Sequence, residues 1–127
     1  MAKRILLVDD VPSLLAAAGL ALRNLGYSVT STDNGADALC LLRNKPPPDL
    51  LILDLMMPGV DGFEILKTLG VTSPPVILIT GTDDKEVISN LTNPVMRVLQ
   101  KPFEHHQLAE AVKSVLAESS PEIPVAQ

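Results

Sequence analysis

Four short runs, each ending in a charged or hydroxyl residue, constrain this chain more than any other feature. Ile5–Val8 leads into Asp9 and Asp10, and Leu50–Leu53 into Asp54. Val76–Ile79 leads into Thr80, and the mixed run Val98–Gln100 into Lys101. Between the runs, apolar residues recur at helical spacing, as at Val11, Leu14, Leu15, Ala18, Leu22 and Leu25. Strands alternating with helices imply βα units and a parallel sheet. Parallel neighbours would send all five polar side chains out at one edge, where open α/β sheets bind ligands. Three carboxylates, a hydroxyl and an ammonium gathered there describe a divalent-cation and phosphoryl site.

The chemistry follows from the charges. Carboxylates held close disfavour each other's ionised forms. Mg²⁺ relieves this, since it prefers oxygen ligands and accepts one or two carboxylates plus a phosphate oxygen. A carboxylate can also act as a nucleophile and form an aspartyl phosphate. That transfer needs alignment and charge stabilisation above all. Lys101 would bring a point positive charge, and Thr80 a hydroxyl donor. Taken singly, Asp10 reads as a helix cap, Asp54 as a loop carboxylate, Thr80 as a strand-end residue and Lys101 as a solvated charge. Their joint occurrence at successive strand ends favours the site.

The element boundaries can be read locally. Strands are expected over Arg4–Val8, Ser28–Thr32, about Leu50–Leu53, Val76–Ile79 and Met96–Leu99. The second alternates polar and β-branched residues and the fifth is short and mixed, so both suit sheet edges. Pro12 fits the first turn of the first helix and Gly26 its end. Asn34 suits the cap of a second helix, running to about Arg43. Pro58-Gly59 suits a type II turn, and Asp61 with Glu64 has capping-box spacing for a third helix through about Leu69. Asp83 and Glu86 repeat that spacing for a short fourth helix, which Asn93-Pro94 would stop. A last helix should start near Phe103 and turn Leu108, Val112, Val115 and Leu116 inward. Cys40, among Leu39, Leu41 and Leu42, reads as a buried inert thiol. His105 and His106 read as a solvated helix start.

Bulk properties exclude several classes. A chain of 127 residues is one domain's length. The net charge of −5 offers no basic footprint for direct nucleic-acid or anionic-membrane binding. Tyr27, Phe63 and Phe103 are the only aromatics, too few to stack bases. With a single cysteine no intrachain disulfide can form. No run approaches the ~20 apolar residues of a membrane span, and Asp9-Asp10 comes too early for a signal peptide. A cytoplasmic protein is expected.

These motifs together resemble the receiver domain of two-component response regulators. The likeness rests on Val8-Asp9-Asp10, on Leu53-Asp54-Leu55-Met56-Met57-Pro58-Gly59-Val60-Asp61-Gly62, on Thr80, and on Lys101-Pro102-Phe103. It implies a flavodoxin-like, doubly wound (βα)5 three-layer sandwich with a parallel five-stranded sheet in the order 2-1-3-4-5. It implies a receiver over residues 1–118, with 119–127 as a tail or the start of a linker. Asp54 would be the phosphoacceptor, charged by a histidine kinase, a histidine phosphotransfer protein or a small phosphodonor. Asp9, Asp10, Asp54 and the Met56 backbone carbonyl would hold Mg²⁺. Lys101 would bind phosphate and Thr80 would be the switch hydroxyl. The Lys101–Pro102 bond is usually cis in such domains. Phosphorylation would switch the surface of the fourth helix, fifth strand and fifth helix toward an output domain, a downstream protein or a second copy. No enzymatic turnover beyond the domain's own phosphoryl transfer and dephosphorylation is implied, whether it stands alone or begins a larger regulator.

Some positions depart from the pattern. Val98 stands where Tyr or Phe is common, three residues before the lysine, so a ring-based rotamer switch is missing. Asn93-Pro94-Val95 replaces a usual Gly-Ala pair, and Gly81 a frequent Ala. A phosphorylation-independent interaction module therefore stays open as an alternative. A flavin-binding protein would want a glycine- and hydroxyl-rich phosphate loop where Asp9-Asp10-Val11-Pro12 stands. An aspartyl-intermediate phosphohydrolase would want an acid where Met56 stands.

Overall fold

Period-two alternation inside uniformly apolar strands builds this fold. The computed structural model describes residues 2–44, 46–59, 61–81, 89 and 94–118. The elements run β1 (Arg4–Val8), α1 (Pro12–Asn24), β2 (Ser28–Thr32), α2 (Gly35–Asn44), β3 (Leu50–Asp54) and α3 (Gly62–Leu69). A 3-10 turn at Gly70–Thr72, β4 (Val76–Thr80), β5 (Val95–Gln100) and a C-terminal helix (His105–Glu118) follow. The five strands form one sheet in the order β2-β1-β3-β4-β5, and every pairing is parallel.

Successive side chains of a strand point to opposite faces. Ile5, Leu7, Leu50, Ile52, Ile77 and Ile79 therefore pack on one face, against Ala18 and Leu22 of α1 and Leu108, Val112 and Val115 of the C-terminal helix. Leu6, Val8, Leu51, Leu53, Val76 and Leu78 pack on the other, against Ala38 of α2 and Ile65 and Leu66 of α3. All five residues of β3 and of β4 are buried, which is why these strands read as unbroken apolar runs. β2, at the sheet edge, has exposed Ser28, Thr30 and Ser31 and half-buried Val29 and Thr32.

The turns form as their chemistry requires. Gly26, at φ 99°, follows the end of α1 and donates its N–H to the Arg23 carbonyl. Asn34 Oδ1 accepts from the Asp37 N–H at 2.8 Å and caps α2. Asp61 Oδ1 accepts from the Glu64 N–H at 3.1 Å and caps α3. Gly59 takes φ 73° after Pro58. The Lys101–Pro102 bond is cis.

Three readings need correction. The C-terminal helix starts at His105, two residues beyond Phe103, and β5 gains one residue at each end. Leu25 and Val11 are exposed rather than inward, because both lie just outside α1. Cys40 is exposed: it stands two residues from the inward Ala38, about 200° around the helix. The expected fourth helix between Asp83 and Asn93 lies outside the described residues except for Ser89, which is helical and exposed, and the tail 119–127 lies outside them altogether. Among the described residues, no helix is long and apolar enough to cross a membrane.

Leu53 has no solvent exposure and Leu20 is 59% exposed. Leu53→Ala should cost about 2–5 kcal/mol, and Leu20→Ala less than about 0.5 kcal/mol. Urea denaturation of the two variants checks this.

Candidate functional site

Strand register brings the acidic side chains together. Val8 pairs with Leu53, so Asp9 and Asp54 leave adjacent strands at one level. Asp54 in turn pairs with Ile79, which puts Thr80 one step beyond on β4. Thr80 pairs with Gln100, and its carbonyl accepts the Lys101 N–H at 2.7 Å. One oxygen each from Asp9, Asp10 and Asp54 lies within 4.8 Å of the other two. Lys101 Nζ sits 2.8 Å from Asp9 Oδ2 and 3.3 Å from Asp54 Oδ2.

Backbone groups hold two of these carboxylates in place. Asp9 Oδ1 accepts the Val11 N–H at 2.8 Å. Asp54 Oδ1 accepts the Met56 N–H at 3.2 Å. Leu55 donates its N–H to the Ile79 carbonyl at 2.9 Å, which ties the residue after Asp54 to β4. Asp10 does not cap α1: the cap residue is Val11, with no side-chain capping bond. The carboxylate of Asp10 is left half-buried beside the other two.

Asp9 and Asp54 are both buried. Asp9 Oδ2 meets the charge of Lys101 but receives no hydrogen bond of good geometry among the described residues. Burial, and next the charge of Asp9, push the Asp54 carboxyl up to about 6, against an opposing pull from Lys101. Burial acts to lower the Lys101 ammonium, but its contact with Asp9 and the charges of Asp9 and Asp54 outweigh this and hold it above its usual range. The arrangement is short of positive charge and rich in oxygen donors.

The structure thus brings Asp9, Asp10, Asp54 and Lys101 into one cluster and ends the neighbouring strand with a buried Thr80. The Met56 side chain is 59% exposed while its N–H serves Asp54. The contributions of the Val11 and Met56 amides carry no sequence signal, because every residue but proline has the same donor.

Comparison with known proteins decides the family. Residues 5–113 match the family described as the response regulator receiver domain. The chain belongs to the response regulator receiver family. This receiver is 35% identical to the DNA-binding response regulator MtrA of Mycolicibacterium smegmatis, covering 96% of this chain and 54% of MtrA. It is 35% identical to the transcriptional regulatory protein AfsQ1 of Streptomyces coelicolor, covering 88% of this chain and 50% of AfsQ1. The receiver thus spans about half the length of these curated relatives. Among solved structures, the signal receiver domain of an HD domain-containing protein from Pseudomonas fluorescens superposes with a TM-score of 0.84 at 28% identity, over 96% of this chain and all of that one. The receiver is a signalling module of two-component systems with the flavodoxin-like fold.

The raised Asp54 pKa fixes the sign of a pH effect. The folded metal-free receiver holds this proton more tightly than the unfolded chain does, at about 6 against 3.8. Its favourable contribution is complete below about pH 4 and is lost as pH rises through about 6. Asp54→Asn, which removes the charge, should stabilise the metal-free receiver by about 3 kcal/mol at pH 7.5. The gain should shrink toward zero below pH 4. Thermal melts in EDTA across this range measure it.

Proposed function

We propose that Asp54 is the phosphoacceptor of this receiver, and that Asp9, Asp10 and Asp54, with the Met56 backbone carbonyl, hold Mg²⁺. The observation that carries this reading is three carboxylates within 4.8 Å of one another beside a lysine ammonium. The donor set fits the ion: it is all oxygen, and beyond its charge contact with Lys101 the buried Asp9 Oδ2 has no hydrogen bond of good geometry among the described residues. When bound, Mg²⁺ supplies positive charge that offsets the carboxylates and an incoming phosphoryl group.

The remaining roles belong to the chain's own residues. The Asp54 carboxylate attacks the phosphorus of a partner's phosphohistidine. An O–P bond forms, the N–P bond breaks, and the departing imidazole takes a proton from solvent. A small acyl phosphate would instead release its carboxylate. Lys101, already between Asp9 and Asp54, meets the phosphoryl oxygens. The Thr80 hydroxyl donates a hydrogen bond to one of them. An apolar groove of about 530 Å³ beside Lys101, walled by Val11, Leu14, Pro102 and Phe103, gives a kinase or phosphotransfer partner a place to seat.

Phosphorylation then biases an equilibrium between two conformations. β5 and the C-terminal helix present the result to an output domain, a downstream protein or a second copy. The exposed Val98 on β5 favours one other reading, a constitutive interaction module that does not cycle phosphate.

Incubation with Mg²⁺ and acetyl phosphate should give one phosphoryl adduct by intact mass, and none after Asp54→Asn or in EDTA. Lys101→Ala should slow adduct formation by roughly 10²-fold or more. No adduct from acetyl phosphate or from a cognate kinase would leave the interaction module standing. Met56→Asn should change the decay rate of the phosphorylated form, since this exposed side chain stands two residues past Asp54.

A further inference from the structure

The loop after β3 is closed by an approach that only glycine permits. Gly62, the first residue of α3, is buried and donates its N–H to the Leu55 carbonyl at 3.0 Å. A methyl group on Gly62 would lie 2.5 Å from the Asp54 carbonyl oxygen, 2.7 Å from Leu55 Cα and 2.9 Å from the Leu55 carbonyl oxygen. These are backbone atoms, which cannot swing aside like the tip of a side chain. Gly59 and Gly70 differ in kind: both have positive φ, and a methyl group on either would meet nothing within 4 Å. Gly62 has no positive φ, so what it needs is space.

The two peptide units flanking the Leu55 Cα are therefore each held. The Leu55 N–H is held by the Ile79 carbonyl of β4 and the Leu55 C=O by the Gly62 N–H of α3. Asp54 lies just before this clamp. Just after it lies the Met56 N–H, which bonds Asp54 Oδ1. We infer that Gly62 is a positioning residue: its bare Cα lets α3 lock the Asp54–Leu55 backbone, and the lock sets how Asp54 and Met56 present oxygen to a divalent cation. This rests on the metal and phosphoacceptor reading above. The effect runs through backbone placement, since Gly62 itself touches neither ion nor phosphate.

The test pairs Gly62→Ala with Gly70→Ala, which strains the far end of α3 and leaves the loop alone. Each variant and the wild type are titrated with MgCl₂, following the Met56 amide in ¹⁵N spectra and the melting temperature. Both variants should melt lower than wild type. Only Gly62→Ala should bind Mg²⁺ at least tenfold more weakly, while Gly70→Ala stays within twofold. A folded Gly62→Ala that binds Mg²⁺ within twofold of wild type overturns the inference. If Gly62→Ala does not fold, amide exchange in the wild type decides. A Gly62 amide that is protected, and further slowed by Mg²⁺, supports the lock; one exchanging as freely as an open loop sinks it. A wild type that neither binds Mg²⁺ nor accepts phosphate sinks the site reading itself, and the lock with it.

Discussion

Crowding of negative charge at one sheet edge is the constraint on which the rest depends. Like charges this close, and this poorly hydrated, oppose one another's ionisation. Lys101 contacts Asp9 and Asp54, one positive charge beside a cluster of three carboxylates. Asp54 reflects both effects: burial first, and then the Asp9 charge, carry its carboxyl to about 6. Stability alone would favour replacing one acid by a neutral residue. The cluster holds unrelieved repulsion in the fold, which a bound cation would relieve.

Only a rigid scaffold can hold such repulsion, and the parallel sheet provides one. Shifting β3 by one residue against β1 would turn Leu53 and Leu51 from the α2/α3 face toward the α1 face. The two apolar layers therefore fix the register, and the register fixes where Asp9, Asp54 and Thr80 emerge. The helices are placed by local devices, namely the Asn34 cap, the Asp61 cap and the Gly26 turn. None of these touches the chemistry, yet each decides where a layer begins or ends. Packing far from the acids thus sets distances among them.

Much of this was legible in the residues. Apolar runs showed the strands, and the contrast between β3 or β4 and β2 showed which lie inside and which at an edge. Polar residues at run ends showed which side chains gather at one edge, because a parallel sheet sends all its strand ends one way. What was missed has a physical reason in each case. Cys40 looked buried because its neighbours are leucines, but burial on a helix depends on angle rather than on the company in sequence. Phe103 looked like helix because it is apolar. It packs instead as part of the turn after the cis Lys101–Pro102 bond, and the helix waits until His105. The amide donors at Val11 and Met56 are invisible in principle, since sequence names side chains while these bonds come from the path of the backbone.

The same distinction bears on how the strand ends beside Asp54 are connected to the far edge of the sheet. Thr80 and Lys101 are not independent arms: the Thr80 carbonyl accepts the Lys101 N–H at 2.7 Å, and Thr80 pairs with Gln100. Any displacement of the Thr80 backbone would therefore reach the end of β5 through main-chain bonds, without a side chain as intermediary. Val98 lies two residues further back along that strand, partly exposed, with a β-branched side chain that is stiff at its one torsion. It offers no ring to swing between an inner and an outer position. What joins Thr80 to the rest of β5 is the β4–β5 backbone ladder. It includes a register shift at Val76/Ile77, where Val76 faces Val95 and Ile77 faces Arg97. That irregularity is where the strand pair departs from a uniform ladder, and Arg97 beside it is ion-paired at 2.7 Å to Glu118 at the end of the C-terminal helix. Strand ends at the acids and the last helix turn are in this way joined through one strand, by hydrogen bonds and one surface ion pair rather than by a moving aromatic.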